Sequence, residues 1–248
     1  MIEGQEGVTW AQWLALAEAA EAAGLEGLFR SDHYKTIVRG GEAGSLDAWA
    51  ILSALAARIE RLRLGTLVSP VTFRHPAVLA RNAITADEIS GGRVELGMGA
   101  GWYEAEHEEY GIPFPPVRER MDELDRQLAE VRRWWKGHVI VGGTAKPRTV
   151  AAAVRYADEY NTNGVGPEGA GERRARVVAA AEEAGREPLV FSAMVSGREI
   201  LSGTAEAGAA RLREYEAAGV ERVMVQHLEH EELEPVALLG ESARLVAG

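Results

Sequence analysis

The sequence predicts a parallel α/β fold of the (β/α)8 TIM-barrel class, and three observations predict it. First, a unit recurs in which an Ala/Glu-rich amphipathic stretch runs through a glycine into a short Val/Leu/Phe-rich segment. Glu21-Ala22-Ala23-Gly24 precedes Leu28-Phe29-Arg30, Glu183-Ala184-Gly185 precedes Leu189-Val190-Phe191, and Glu216-Ala217-Ala218-Gly219 precedes Val223-Met224-Val225. The glycine suits the left-handed position that stops a helix. Second, the apolar runs do not alternate with polar residues, as expected of parallel strands covered on both faces. Third, eight such strands alternate with eight helices, a count that favours a closed barrel over an open doubly wound sheet. The 248 residues suffice for one barrel, so a single domain over 1–248 is expected.

Taken in order, the strands are placed near Met1 to Glu3, Gly27 to Ser31, Leu62 to Val68, Arg93 to Gly97, Val139 to Val141, Glu159 to Asn161, Leu189 to Met194 and Arg222 to Val225. The helices lie near Thr9 to Ala23, Leu46 to Ala57, Pro76 to Ser90, Val117 to Trp135, Arg148 to Ala157, Glu168 to Ala184, Ala205 to Ala218 and Glu231 to Val246. Thr9 followed by Gln12 has the capping-box pattern, and Pro76 suits a first helical turn. Two elements are abbreviated: the first strand already contains Met1, and only a few residues join the fourth helix to the fifth strand through Trp134-Trp135-Lys136-Gly137-His138. The two tryptophans read as packing or interface residues.

Composition narrows the function. The chain carries 27 basic and 38 acidic residues, a net charge of -11, which repels phosphate backbones and anionic bilayers. Neither a nucleic-acid partner nor a membrane is expected. No cysteine is present, so disulfides, thiol nucleophiles and cysteine zinc sites are excluded. The start of the chain lacks a basic stretch followed by an apolar one, and no apolar run reaches the ~20 residues of a membrane span, so a cytoplasmic location is expected. The six histidines show no metal-binding spacing, and no metal site is expected.

Barrel enzymes carry their reactive groups at the C-terminal ends of the strands. There the second strand presents Asp32 and His33, a candidate proton-transfer pair that reads equally as a cap or a structural histidine. Because adjacent strand residues point to opposite faces, one of the two is expected to face the mouth. Gly97-Met98-Gly99-Ala100-Gly101-Trp102 breaks the dinucleotide fingerprint at its last position, and suits a strand end where backbone approaches a flat ligand. Gly142-Gly143-Thr144, with Lys146 and Arg148 ahead of a helix, is a candidate phosphate cradle or else a turn serving connectivity. The run Glu104, Glu106, His107, Glu108, Glu109 reads as a solvated loop.

These segments together resemble the luciferase-like monooxygenase superfamily, and especially its F420-dependent oxidoreductase branch. The resemblance rests on Ser31-Asp32-His33, on the stretch from Arg63 to Pro76, on the stretch from Ile89 to Trp102, and on Val141-Gly142-Gly143 followed by Arg155-Tyr156-Ala157-Asp158. It implies a bacterial-luciferase-like barrel that holds a flavin-type ring across its mouth, against a non-proline cis peptide matching Leu67–Val68. It implies further that Asp32 and His33 lie beside the ring with His33 as base, that Ala100, Gly101 and Trp102 contact it, and that Gly142, Gly143, Thr144 and Lys146 take the phosphate region. The function it implies is hydride transfer between the deazaflavin coenzyme F420 and a small organic molecule. The alternatives are an FMN-dependent monooxygenase and a degenerate barrel that binds cofactor without turnover. A homodimer is expected from the same resemblance. The chain departs from the family in its short first strand and in the shortened connection from the fourth helix to the fifth strand, where members carry a longer insertion.

Overall fold

A computed structural model of the protein describes residues 1–38, 40 and 44–248. Its sheet comprises β1 (Gly27–Arg30), β2 (Arg63–Thr66), β3 (Ser69–Pro70), β4 (Val94–Gly99), β5 (His138–Gly142), β6 (Glu159–Asn163), β7 (Val190–Ser196) and β8 (Arg222–Gln226). The strands pair in parallel in the order β1-β2-β4-β5-β6-β7-β8, with β3 beside β4. The first predicted strand shrinks to one pairing residue: Ile2 bridges Arg30 on one side and His227 on the other, linking the two edges of the sheet. Residues Gly4–Glu6 then turn at once into a 3-10 helix. The third predicted strand, Leu62 to Val68, is observed as β2 and ends at Thr66; the Leu67–Val68 peptide that follows is cis, and β3 lies beyond it.

Helices α1 (Trp10–Ala22), α2 (Ala48–Ala56), α3 (Pro76–Ser90), α4 (Glu104–Tyr110), α5 (Val117–Trp134), α6 (Pro147–Tyr156), α7 (Pro167–Glu183), α8 (Gly197–Ile200), α9 (Ala205–Ala217) and α10 (Glu234–Ala247) cover the outside. Local chemistry sets their ends. The Thr9 hydroxyl accepts the Gln12 amide while the Gln12 side chain accepts the Thr9 amide, the reciprocal cap expected of this pair. The recurring glycines after the Ala/Glu stretches, Gly24, Gly185 and Gly219, all have positive φ, which a side chain would strain. Residues 135–137 alone join α5 to β5, and in this short connection Trp135 is buried while Trp134 stays half exposed beside Arg81. No helix among the described residues is long and apolar enough to cross a membrane.

The main core lies between sheet and helices, where Leu52, Leu55, Leu64, Leu79, Leu96, Leu128 and Val141 are fully buried. Phe29, Ile140 and Met224 form a separate small cluster with Met1 and Leu67. At the N-terminal ends of the strands the interior is ionic. Glu95 and Glu159, both at zero exposure, share Arg222 at 2.7 and 3.0 Å, and Arg63 also binds Glu95. His138 and Ser192 bind Glu159 at 3.0 and 2.5 Å. Burial of carboxylates is tolerated here because each meets cations and donors that replace water. Glu95, His138 and Glu159 are close enough to resemble a metal cluster, but arginine guanidinium groups already occupy their oxygens.

Candidate active site

A cavity of about 430 Å³ opens at the C-terminal ends of the strands, within the range of small-molecule and cofactor sites. Leu67, Val68, Pro70, Ile37, Val38, Trp102 and Met194 supply apolar lining, while Glu3, Gln5, Ser31, Asn161, Asn163 and Gln226 supply polar groups. A side chain at Gly99 would place Cβ 2.6 Å from Val68, whereas at Gly142 it would meet nothing closer than 3.6 Å. Gly97 packs so tightly on the Thr66 carbonyl that no Cβ fits between β2 and β4.

His33 faces this cavity and Asp32 does not. The His33 ring lies edge-on to Trp102 at 5.6 Å and to Tyr103 at 6.2 Å. Its Nδ1 lies 2.7 Å from Glu106 Oε1, and Glu106 Oε2 accepts the Tyr34 backbone N–H at 3.0 Å. A carboxylate only accepts, so Nδ1–H donates to it and Nε2 is the basic nitrogen of the neutral ring. Glu106 belongs to α4, the segment read from sequence as a solvated loop. That expectation is corrected: the run is helical, and Glu106 and His107 turn inward at 1% exposure while Glu104, Glu108 and Glu109 stay out. His107 bonds Thr72 Oγ1 through Nε2 and the Tyr103 carbonyl through Nδ1, both at 2.7 Å, and packs on Phe73 and Phe114. Polar partners inside make the inward turn affordable.

Asp32 is buried behind the wall, where its Oδ2 accepts from Ser69 at 2.7 Å and from Arg74 at 2.6 Å. Arg74 reaches on to Asp47 at 2.6 Å and to the Tyr34 hydroxyl at 2.9 Å. The side chains of Asp32 and His33, just beyond the end of β1, therefore diverge. Burial pushes the Tyr34 hydroxyl well above its ordinary range and keeps it a donor to Asp47. Burial also disfavours the Asp47 carboxylate, but the Ala50 N–H and Arg74 outweigh it and hold the group below its usual value. Arg30, fully buried against Trp13, is lowered by burial to about 10.

Of the other residues expected at the site, Leu67, Val68, Ala100, Gly101, Trp102, Gly142 and Gly143 line the cavity. Thr144 and Lys146 are exposed beyond it, Lys146 as the N-cap of α6. Glu3 and Gln5, not among the expected site residues, also line the cavity. Glu3 Oε1 accepts from Gln226 at 2.7 Å and Oε2 from Gln5 at 2.9 Å. Gln5 in turn accepts the Ser31 hydroxyl, and Ser31 accepts the Gly4 amide at 3.1 Å. The signal for Glu3 and Gln226 was their place at strand ends; nothing local marked Glu106.

Comparison with known proteins adds an independent line. Residues 2–241 match the family described as luciferase-like monooxygenase. An F420-dependent glucose-6-phosphate dehydrogenase from Beutenbergia cavernae is 38% identical over 135 residues, 53% of this chain and 39% of that protein. One from Nocardia farcinica is 35% identical over 144 residues, 56% of this chain and 42% of that protein. The matched part thus spans well under half the length of these relatives. Among solved structures, an F420-dependent secondary alcohol dehydrogenase in complex with an F420-acetone adduct superposes with a TM-score of 0.84 at 16% identity, over 97% of this chain and 96% of that one. A monooxygenase from Streptomyces bottropensis does so with 0.79 at 20% identity, over 99% and 97%. At such identities the superpositions speak to fold.

Proposed function

The chain belongs to the luciferase-like monooxygenase family, and within it we propose an oxidoreductase that moves a hydride between coenzyme F420 and a small organic molecule. The observation that carries this reading is the His33–Glu106 pair at 2.7 Å, set at the mouth of a cavity with an apolar wall of Leu67 and Val68. Sequence similarity to F420-dependent dehydrogenases supports the choice of cofactor.

The residues fit a flat ring system. Leu67, Val68 and Ala100 offer apolar surface, Gly142 leaves backbone uncovered, and Trp102 is exposed among the lining residues. Bound F420 supplies the hydride chemistry, and the protein supplies placement and proton transfer. His33 Nε2 exchanges the proton that accompanies the hydride, with Glu106 fixing the ring through Nδ1. Asp32 acts from behind the wall by holding Arg74 and Ser69. Thr144, Lys146 and the N-terminus of α6, next to Gly142 and Gly143, would hold the cofactor phosphate.

Fluorescence titration of the purified protein with F420 and with FMN tests the reading. Saturable F420 binding is expected. Tight binding of FMN alone would replace it with an FMN-dependent monooxygenase, and binding of neither with a barrel that lacks turnover.

A further inference from the structure

Resting on that reading, we propose that the substrate is a hydroxyl- or amine-bearing molecule without a phosphate group, and that Glu3 is the residue that selects it. The carboxylate stands at the cavity wall, 8% exposed, where Ile2 closes the sheet. Its two oxygens each accept one side-chain amide, from Gln5 and from Gln226. A carboxylate accepts about four hydrogen bonds, so acceptor capacity remains for a ligand donor. The amides hold the group in place without neutralising it.

Among the described lining residues no cation offsets it; the Met1 ammonium, which interacts with it electrostatically, is not among the lining residues and donates to the Val225 carbonyl at 2.9 Å. Among the described lining residues none is lysine or arginine, and the ionisable groups are Glu3 and His33, the latter backed by the Glu106 carboxylate. Among the described residues, the nearby arginines hold partners outside the cavity lining, with Arg30 Nη1 alone left unpartnered on that side chain. Arg30 donates to the Ser31 carbonyl and Ser45 and lies over Trp13. Arg173 donates to Thr162 and to the Asn163 carbonyl. Arg74 is bound by Asp32 and Asp47. The Gly143 N–H already donates to the Asn161 carbonyl at 2.9 Å. A phosphorylated substrate therefore meets like charge where recognition of phosphate calls for arginine, lysine or free N–H groups. A hydroxyl or ammonium group instead finds an acceptor.

The test uses glucose and glucose 6-phosphate as probes, differing by the phosphate, titrated calorimetrically into wild type, Glu3→Gln and Glu3→Lys, each with and without F420. The expected result is that glucose 6-phosphate binds roughly tenfold more tightly to Glu3→Lys than to wild type, with Glu3→Gln between them. Glucose is expected to gain nothing from either change. Wild type binding glucose 6-phosphate as tightly as the variants, or indifference to the charge at position 3, overturns the proposal. Glu3→Gln, nearly isosteric, provides the same comparison where the lysine variant fails to fold, as judged by circular dichroism. Loss of F420 binding by wild type tells separately against the cofactor reading, because the charge dependence is also measured without F420.

Discussion

Glu106 and His33, 73 residues apart in the chain, meet at 2.7 Å between Oε1 and Nδ1. The contact ties α4 to the end of β1 and determines which nitrogen of the ring is basic. Replacing Glu106 by glutamine keeps the shape but lets the amide either donate or accept, so the imidazole is no longer held in one tautomer. Turnover of Glu106→Gln is expected to fall about tenfold and that of His33→Ala about 100-fold, with F420 affinity changing less than about threefold in either. Side-chain nitrogen NMR of His33 should show mixed tautomers in Glu106→Gln. A single Nδ1–H tautomer in that variant would remove Glu106 from its positioning role.

Asp32 should behave as a structural residue. Asp32→Ala leaves Arg74, one-tenth exposed, with Asp47 as its remaining carboxylate partner. Breaking such a buried pair is expected to cost about 3 kcal/mol, read as a lowered urea midpoint. His33→Ala, at the cavity wall, should leave the midpoint within about 1 kcal/mol of wild type. Equal losses in the two variants would contradict this division.

Gly97→Ala probes the glycine run independently of chemistry. The added methyl would press on the Thr66 carbonyl across the β2–β4 pair. Overpacking of this kind is expected to cost about 1–3 kcal/mol. Gly101→Ala, at positive φ of 78°, acts through backbone strain and is expected to cost about 1 kcal/mol. Both are measured by denaturant unfolding; a neutral Gly97→Ala would show that the strands can separate.

The ionic end of the barrel predicts the acid response. Burial raises Glu95, but hydrogen bonds from Arg222 and Arg63 outweigh it and hold the group below its ordinary value of 4.5. A depressed carboxylate contributes stability that is complete above the unfolded value and is lost as pH falls through the folded one. The thermal midpoint is therefore expected to be steady from about pH 7 to 5.5 and to drop below about pH 4.5. Arg222→Met removes one of the two arginines on Glu95 and leaves Arg63 to oppose burial, so the drop should begin at higher pH. Calorimetry across this range decides it, and an unchanged onset would show that Arg222 does not hold Glu95 ionised.

Much of this molecule is local and was legible in the residues. Helix stops at Gly24, Gly185 and Gly219, the Thr9–Gln12 cap and the apolar runs of β4 and β5 follow from backbone propensity and short-range hydrogen bonding, which act within a few residues. The strand ends also located Leu67, Val68, Ala100 to Trp102, Gly142 and Gly143 on the cavity wall. The charged run from Glu104 misled because solvation is its lowest-energy state when taken alone. Its helix buries two residues only because His33, the Tyr34 amide and Thr72 wait on other elements to receive them.

The sequence by itself determined the eightfold strand–helix alternation, because periodicity and stop signals are encoded in neighbouring residues. Tertiary structure alone decided that the first strand would shrink to the bridging residue Ile2, that His33 would face the cavity while Asp32 turned to Arg74, and that Glu106 and Glu3 would join the site. Those outcomes depend on charges and donors brought together from distant parts of the chain, where desolvation makes a partner obligatory.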